Sequence, residues 1–423
     1  MGIDVGQAIK INRLRLNMTQ SDLAKGIISV SYLSKIENGT AEPPHEVLEL
    51  LSERLQLNPL EPGIQIDHNT VIRWFHHLLR SNVDESIRIY NKLRHNLTNA
   101  IDKKLLSLIE IHKLHYYILI NDKTEAENLV FSLQKSSKRF NEVEKYYYYK
   151  FLGNYHYSLL SFKKALEYYQ TAEQYGKSEI FHQNEEINNL YYLIGNVASK
   201  VRQTHLCLLY TIRALEYYQS NYDLKKCAEC HILQGISYRR INEIEKAKES
   251  YRYAINIAEK IEDKETLKLG YQNLGTLNSI GKDSIEAIDY FLKSYELRKN
   301  DRVDRRIVPV SSLMKEYYSL GDIKNSQVWL EIGLNLCKSL EPIDSVYVYE
   351  FDVYNFLITG YDNSFEKLII KKIIPFFEAR ELYYEKSVYL ELLANYYKQN
   401  RKYKLSTYYY EEAFKTISKI INI

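Results

Sequence analysis

A chain of 423 residues, 45% of them apolar and 26% charged, is long enough for two or three folded domains and has the balance of a water-soluble protein. Lys and Arg number 57 against 54 Asp and Glu, and the net charge of +3 excludes polyanion binding through bulk charge alone. No apolar run is long enough to span a membrane and no apolar leader opens the chain, so a cytoplasmic location and free thiols at the four cysteines are expected.

Residues 4–16 read as a first helix, with Val5, Ala8, Ile9, Ile11, Leu14 and Leu16 as its apolar stripe. Thr19 is a good N-cap for a second helix, Gln20 to Lys25, and Asp22 in the first turn suits the helix dipole. Gly26 breaks it. Ser29 caps a third helix from Val30 to about Glu37, which Asn38-Gly39 ends. After Pro43-Pro44, a fourth helix runs from His45 to Leu55 with Val47, Leu48, Leu51 and Leu55 on one side. A short turn between the second and third helices is helix-turn-helix geometry.

The string Thr19-Gln20-Ser21-Asp22-Leu23-Ala24, then Ser29, then Tyr32-Leu33-Ser34-Lys35-Ile36-Glu37-Asn38-Gly39, resembles the XRE/Cro-type repressor domain over about residues 6–57. Gly26 stands one place earlier than the family's usual glycine. Leu33 and Ile36 should face inward, which leaves Val30, Ser31, Ser34 and Lys35 for base edges in a major groove. Gln20, Ser29 and Asn38 complete the expected DNA-contacting set, with Lys10, Arg13, Arg15 and Lys25 as further backbone contacts. Residues 1–63 carry six Lys and Arg against eight Asp and Glu, so DNA affinity must come from local placement. One such domain reads one half-site, which implies a homodimer or higher homo-oligomer.

Asn58-Pro59 and Pro62-Gly63 punctuate the chain. The domain boundaries expected are 1–63 for the DNA reader, 64–69 for a linker and 70–423 for a repeat array. In that array small residues recur about every 40 places: Ala126, Ala165, Cys207, Ala247, Ala287, Ser326 and Ser406, with Ser86 and Lys367 as weaker members. Twelve places upstream stand Gly153, Gly195, Gly235, Gly275 and Ala394, and four downstream stand Tyr169, Tyr251 and Phe291. This is tetratricopeptide (TPR) spacing, with helices longer than the minimal repeat. The expected fold class is all-α: a helix-turn-helix domain, then a right-handed TPR superhelix of about nine repeats. Pro309 should open a helix at its first position, and Pro375 should kink or end one.

First helices of such repeats line a concave surface. The register places Lys150, Asn154, Tyr157, Asn189, Tyr192, Asn196, Arg239, Gln272, Thr276, Lys315 and Asn395 on it. Asn154, Asn196 and Asn395 sit at equivalent places although Asn is a poor helix former, and an amide pairs well with an extended peptide backbone. Lys150 beside Asn154 and Asn196 reads as a clamp for a peptide carboxylate, with Arg239 as a second charge. No nucleophile–base string, phosphate loop or zinc motif is present, and Cys227-Ala-Glu-Cys230-His231 falls within a repeat helix, so no enzyme activity, metal or cofactor is expected.

An XRE domain followed by a long TPR array resembles the Rap–Rgg–NprR–PlcR–PrgX family of peptide receptors over essentially the whole chain, and nine repeats resemble its NprR branch. The resemblance implies quorum sensing: a short signalling peptide, re-imported into the cytoplasm, binds the array and alters oligomeric state or binding to double-stranded promoter DNA. It also implies a second possibility, a Rap-like interaction with a sporulation response regulator that blocks phosphotransfer.

Overall fold

The computed structural model describes residues 5–16, 18–55, 68–94, 103–176, 183–340 and 345–421. The expected linker lies mostly outside these. By internal contacts the chain forms two compact units, Met1–Gln203 and Thr204–Ile423.

The first unit begins with α1 (Val5–Arg15), α2 (Gln20–Ala24), α3 (Val30–Glu37) and α4 (His45–Arg54). They close on Ile9, Leu23, Ala24, Leu33, Ile36, Leu51 and Leu55, all buried. Thr19 caps α2 through a reciprocal pair of bonds. Its hydroxyl accepts from the Asp22 N–H at 3.1 Å, and the Asp22 carboxylate accepts from the Thr19 N–H at 2.8 Å. Ser29 caps α3 by accepting from the Tyr32 N–H at 3.2 Å. Gly26 takes a φ of +75° with open space around it, so a glycine one place early still makes the turn.

The unit continues with α5 (His68–Leu79), α6 (Val83–Leu93), α7 (Lys103–Leu119), α8 (Lys123–Ser136), α9 (Glu142–Ser158), α10 (Phe162–Tyr175) and α11 (Gln183–Lys200). The second unit holds α12 (Thr204–Ser220), α13 (Leu224–Arg240), α14 (Ile244–Lys260), α15 (Lys264–Ile280), α16 (Ser284–Leu297), α17 (Val303–Ser319), α18 (Ile323–Cys337) and α19 (Ser345–Thr359). It ends with α20 (Asn363–Leu368), α21 (Ile374–Ala379), α22 (Tyr383–Gln399) and α23 (Tyr403–Ile421). In chain order these helices, with α20 and α21 taken together, make nine consecutive pairs from His68 to Ile421.

The turn inside each pair carries one residue in the left-handed region: Ser81, Asn121, Leu160, Arg202, Asn242, Lys282, Gly321, Gly360 and Arg401. Two backbone bonds close the turn, as where Asn242 N–H donates to Arg239 O and Glu243 N–H to Tyr238 O. The expected small residues do set the packing. Ala126, Ala165, Cys207, Ala247, Ala287, Ser326 and Ser406 are buried, as is Ser86. A Cβ on Gly153, Gly235 or Gly275 would lie 2.3, 2.4 or 2.6 Å from the ring of Tyr169, Tyr251 or Phe291, so only glycine lets each helix approach its partner's aromatic residue.

Two expectations need correction. Lys367 is exposed and is no packing residue. The buried residues there are Phe365, Ile369, Ile373 and Phe377, spaced by four across a π-helical turn, Ile369–Ile373, that widens the helix before Pro375 opens α21. Pro309 lies inside α17, six residues after its start. It is buried, and its ring leaves the Arg305 carbonyl without the usual helical donor.

Candidate DNA-reading helix and peptide-binding face

On α3, Leu33 and Ile36 are fully buried, while Val30 is 44% exposed and Ser31 and Lys35 are exposed beside it. Ser34 is half-buried on the same face. Ser29 spends its hydroxyl on the cap, and Asn38 is the exposed C-terminal residue of the helix. The outward set therefore combines hydroxyls, a branched apolar side chain and one flexible cation, the groups that touch base edges in a major groove.

Of the expected contacts, Arg13 belongs to the domain's interior, and the half-buried Gln20 is tied to it through Glu37. Arg13 is 6% exposed and holds Glu37 by two bonds, Nε to Oε1 at 2.6 Å and Nη2 to Oε2 at 2.9 Å. Its Nη1 donates to the Met18 carbonyl at 2.8 Å. Gln20 Nε2 donates to Glu37 Oε2 at 2.7 Å. Arg13 is thus a fastener between α1 and the end of α3, and Gln20 is tied to it. Burial alone would push the Glu37 carboxyl up, but the bonds from Arg13 and Gln20 outweigh it and hold the group below the usual carboxylate range. The Arg15 side chain lies outside the described residues, and Lys10 and Lys25 are exposed.

In the first unit, the amides of the expected peptide face serve the array. Asn154 Oδ1 accepts from the Tyr169 hydroxyl at 2.7 Å, and its Nδ2 lies 3.2 Å from His115 Nδ1. His115 Nε2 is 3.2 Å from the Leu78 carbonyl, so the network fits a neutral ring protonated at Nε2. Asn395 in the second unit likewise accepts from Tyr410 at 2.6 Å. The poor helix former is present because it orients the aromatic residue fifteen places on. Asn196 Nδ2 reaches the Tyr157 hydroxyl at 3.4 Å, so these two expected residues do meet, on α11 and α9. Asn189 and Tyr192 are half-buried on α11.

Lys150 departs from its expected role. It is 2% exposed and lies 2.5 Å from Glu186 Oε2, with both side chains buried. A cation so neutralised is a crosslink between α9 and α11 rather than a free clamp for a carboxylate.

In the second unit the face keeps unused groups. Gln272 Nε2 donates to Ser312 Oγ at 2.8 Å, while its Oε1 is buried with no partner among the described residues. Thr276 donates to the Gln272 carbonyl at 2.9 Å. The Arg239 Nε is also buried without a partner among the described residues. Lys315 pairs with Glu350 at 2.5 Å, and Ser311 Oγ donates to the same carboxylate at 2.6 Å. His115, Glu186, Ser312 and Glu350 were not singled out from the sequence. The signal available was polar residues recurring at the repeat spacing, since each of these bonds joins residues 35 to 40 apart.

Cys227 and Cys230 are buried within α13 and burial pushes both thiols up, the opposite of a metal-binding or reactive pair. No helix among the described residues is long and apolar enough to cross a membrane.

A helix-turn-helix unit joined to an array of paired helices defines the class. The helix-turn-helix family profile matches residues 9–61. The transcriptional activator NprA of Geobacillus stearothermophilus is 36% identical over 407 residues, spanning 95% of this chain and 100% of that protein. The apo quorum sensor NprR from B. thuringiensis shares the fold with a TM-score of 0.71 at 18% identity, over 82% of this chain and 98% of that one. NprR in complex with its cognate peptide NprX gives a TM-score of 0.66 at 19% identity, over 83% and 97%. The chain belongs to the Rap–Rgg–NprR–PlcR–PrgX family, on its NprR-like branch, and is a transcription regulator of the helix-turn-helix type.

Proposed function

We propose that this regulator binds promoter DNA through Val30, Ser31, Ser34 and Lys35 of α3, with Ser29 and Asn38 flanking them, and that a short signalling peptide on the repeat array controls that binding. The observation that carries the DNA half is the outward face of α3 on a fully packed four-helix core. What supports the peptide half is the pair of unused polar atoms, Gln272 Oε1 and Arg239 Nε, on the face expected to hold an extended chain. A peptide N–H and carbonyl would satisfy them. Thr276, Asn189, Tyr192, Tyr157 and Asn196 are proposed as further contacts, while Asn154 and Lys150 position the helices that carry them. The working form is a cytoplasmic homodimer or higher oligomer, because one reader covers one half-site.

Peptide controls the regulator only through a difference in its affinity for two states of the protein. Fluorescence anisotropy on promoter fragments, with and without a library of short synthetic peptides, tests this. Gln272→Ala should weaken the peptide response and leave peptide-free DNA binding alone. Equal peptide response in wild type and Gln272→Ala would sink the assignment of the face. The response-regulator partner rests on the resemblance, and pull-down with a chain lacking residues 1–63 tests it separately.

A further inference from the structure

The second unit carries a cluster of charges where α15 and α17 begin. Lys268 is 5% exposed, and its Nζ lies 2.8 Å from Glu265 Oε1 and 2.7 Å from Asp301 Oδ1. Arg305 Nη1 takes the other Glu265 oxygen at 3.1 Å. Two carboxylates are therefore engaged by two cations. A third cation, Arg298, stands on the same cluster and is only 6% exposed. Its one hydrogen bond among the described residues runs from Nε to Ser294 Oγ at 3.2 Å. Ser294 is itself fixed by donating to the Lys268 carbonyl at 3.1 Å.

The fork nitrogens of Arg298 thus bond no carboxylate among the described residues, although the residue as a whole is mostly buried. Burial lowers its proton affinity, and Asp301 is the leading nearby charge that opposes this. The second Asp301 oxygen, Oδ2, is buried and has no partner among the described residues. A carboxylate oxygen buried without a partner, beside a mostly buried arginine that does not bond it, is costly to keep unless a third group satisfies both. The N-terminus of α17 adds to the positive side, since its N-cap, Arg302, makes no side-chain cap bond.

The two unmet groups specify complementary chemistry. The Arg298 fork asks for two anionic oxygens in one plane. Asp301 Oδ2 asks for a donor on the same ligand. A carboxylate offers the first and not the second, and would be repelled by Asp301. A phosphate that keeps a proton offers both. We propose that Arg298 and Asp301 form a phosphate-binding site in the second unit, selective for a phosphate bearing a hydroxyl, whether inorganic phosphate or the end of a phosphate monoester. This site is separate from the peptide face and does not depend on that reading.

The test uses the full-length chain in phosphate-free buffer at about pH 6, where a phosphate monoester still holds its last proton about half the time, titrated with inorganic phosphate, phenyl phosphate, sulfate and acetate at constant ionic strength. Calorimetry and the thermal midpoint are read together. Wild type should bind inorganic phosphate or phenyl phosphate, and the tighter of the two names the source. Sulfate, which carries no proton near neutral pH, should bind at least about tenfold more weakly, because it would set an acceptor against Asp301. Arg298→Met should abolish phosphate binding without lowering the midpoint in anion-free buffer, because an unpaired buried charge is replaced by an apolar chain of similar length. Asp301→Asn should bring sulfate up to the level of phosphate, and this arm stands even where Arg298→Met fails to fold. Lys246→Gln, at an exposed side chain of α14 paired with Glu243, should change nothing. No binding by either phosphate, equal binding of sulfate and phosphate in wild type, or unchanged phosphate binding in Arg298→Met would each overturn the assignment.

Discussion

Gly235 on α13 gives the sharpest test of how the repeats are packed. In Gly235→Ala the new Cβ would sit 2.4, 2.6 and 2.9 Å from Tyr251 Cε1, Cδ1 and Cζ. Tyr251 is fully buried against Ile232, Ala254 and Leu274, so its ring has little room to retreat. The helical preference of Ala over Gly contributes about 1 kcal/mol in favour of the substitution. Overpacking of this kind costs about 1–3 kcal/mol. The net expectation is a destabilisation of about 0–2 kcal/mol. Gly281→Ala is the matched control. Gly281 caps α15 at a φ of −72°, and its Cβ would meet nothing closer than a carbonyl oxygen at 3.4 Å. That variant should gain about 0.5–1 kcal/mol by restricting the unfolded chain. Urea denaturation followed by far-ultraviolet circular dichroism measures both, with hydrogen exchange of α13 and α14 amides to locate the effect. Tyr251→Leu should erase most of the Gly235→Ala penalty, since the two share one contact. A Gly235→Ala protein as stable as Gly281→Ala would refute the close-approach explanation.

Three further outcomes follow from other parts of the chain. Glu37→Gln removes the charge that Arg13 and Gln20 share and should destabilise the DNA-reading domain by about 3–5 kcal/mol, read as a lower unfolding midpoint of that domain. Leu160 holds a φ of 57° and is 59% exposed, so Leu160→Gly should raise stability by about 1 kcal/mol in the same denaturation assay. Burial lowers His112 from 6.5 to about 3 and His115 from 6.5 to about 4, so between those limits the unfolded chain binds protons that the folded one refuses. Stability from these rings is complete above about pH 6.5 and falls as the pH drops, by about 1.4 kcal/mol per pH unit for each ring. His115→Gln should remove one ring's share of that slope, and an unchanged slope would show that the ring titrates normally.

The helices of the DNA reader were legible because caps and breaks are local: Thr19, Ser29 and Gly39 act within a few residues of where they stand. The repeats were legible because Gly153, Gly235 and Gly275 recur against an aromatic sixteen places on. The role of Lys150 was not legible, because nothing local tells a cation that its partner, Glu186, lies one repeat away. The same holds for Arg13, with Glu37 as the distant partner. Pro309 was placed at a helix start because proline is commonest there, but α17 begins earlier, at Val303. Fold is written in local preference and period. Site chemistry depends on which charges tertiary packing has already neutralised.

The central claim is that one chain reads DNA with α3 and answers to a peptide on its array. Anisotropy of the full-length protein on promoter DNA, for wild type and Lys35→Glu, across a library of short synthetic peptides, tests it most directly. Lys35→Glu should lose binding, and at least one peptide should shift wild-type affinity tenfold or more, about 1.4 kcal/mol. Promoter binding unchanged by Lys35→Glu, or the same with every peptide as with none, would contradict it.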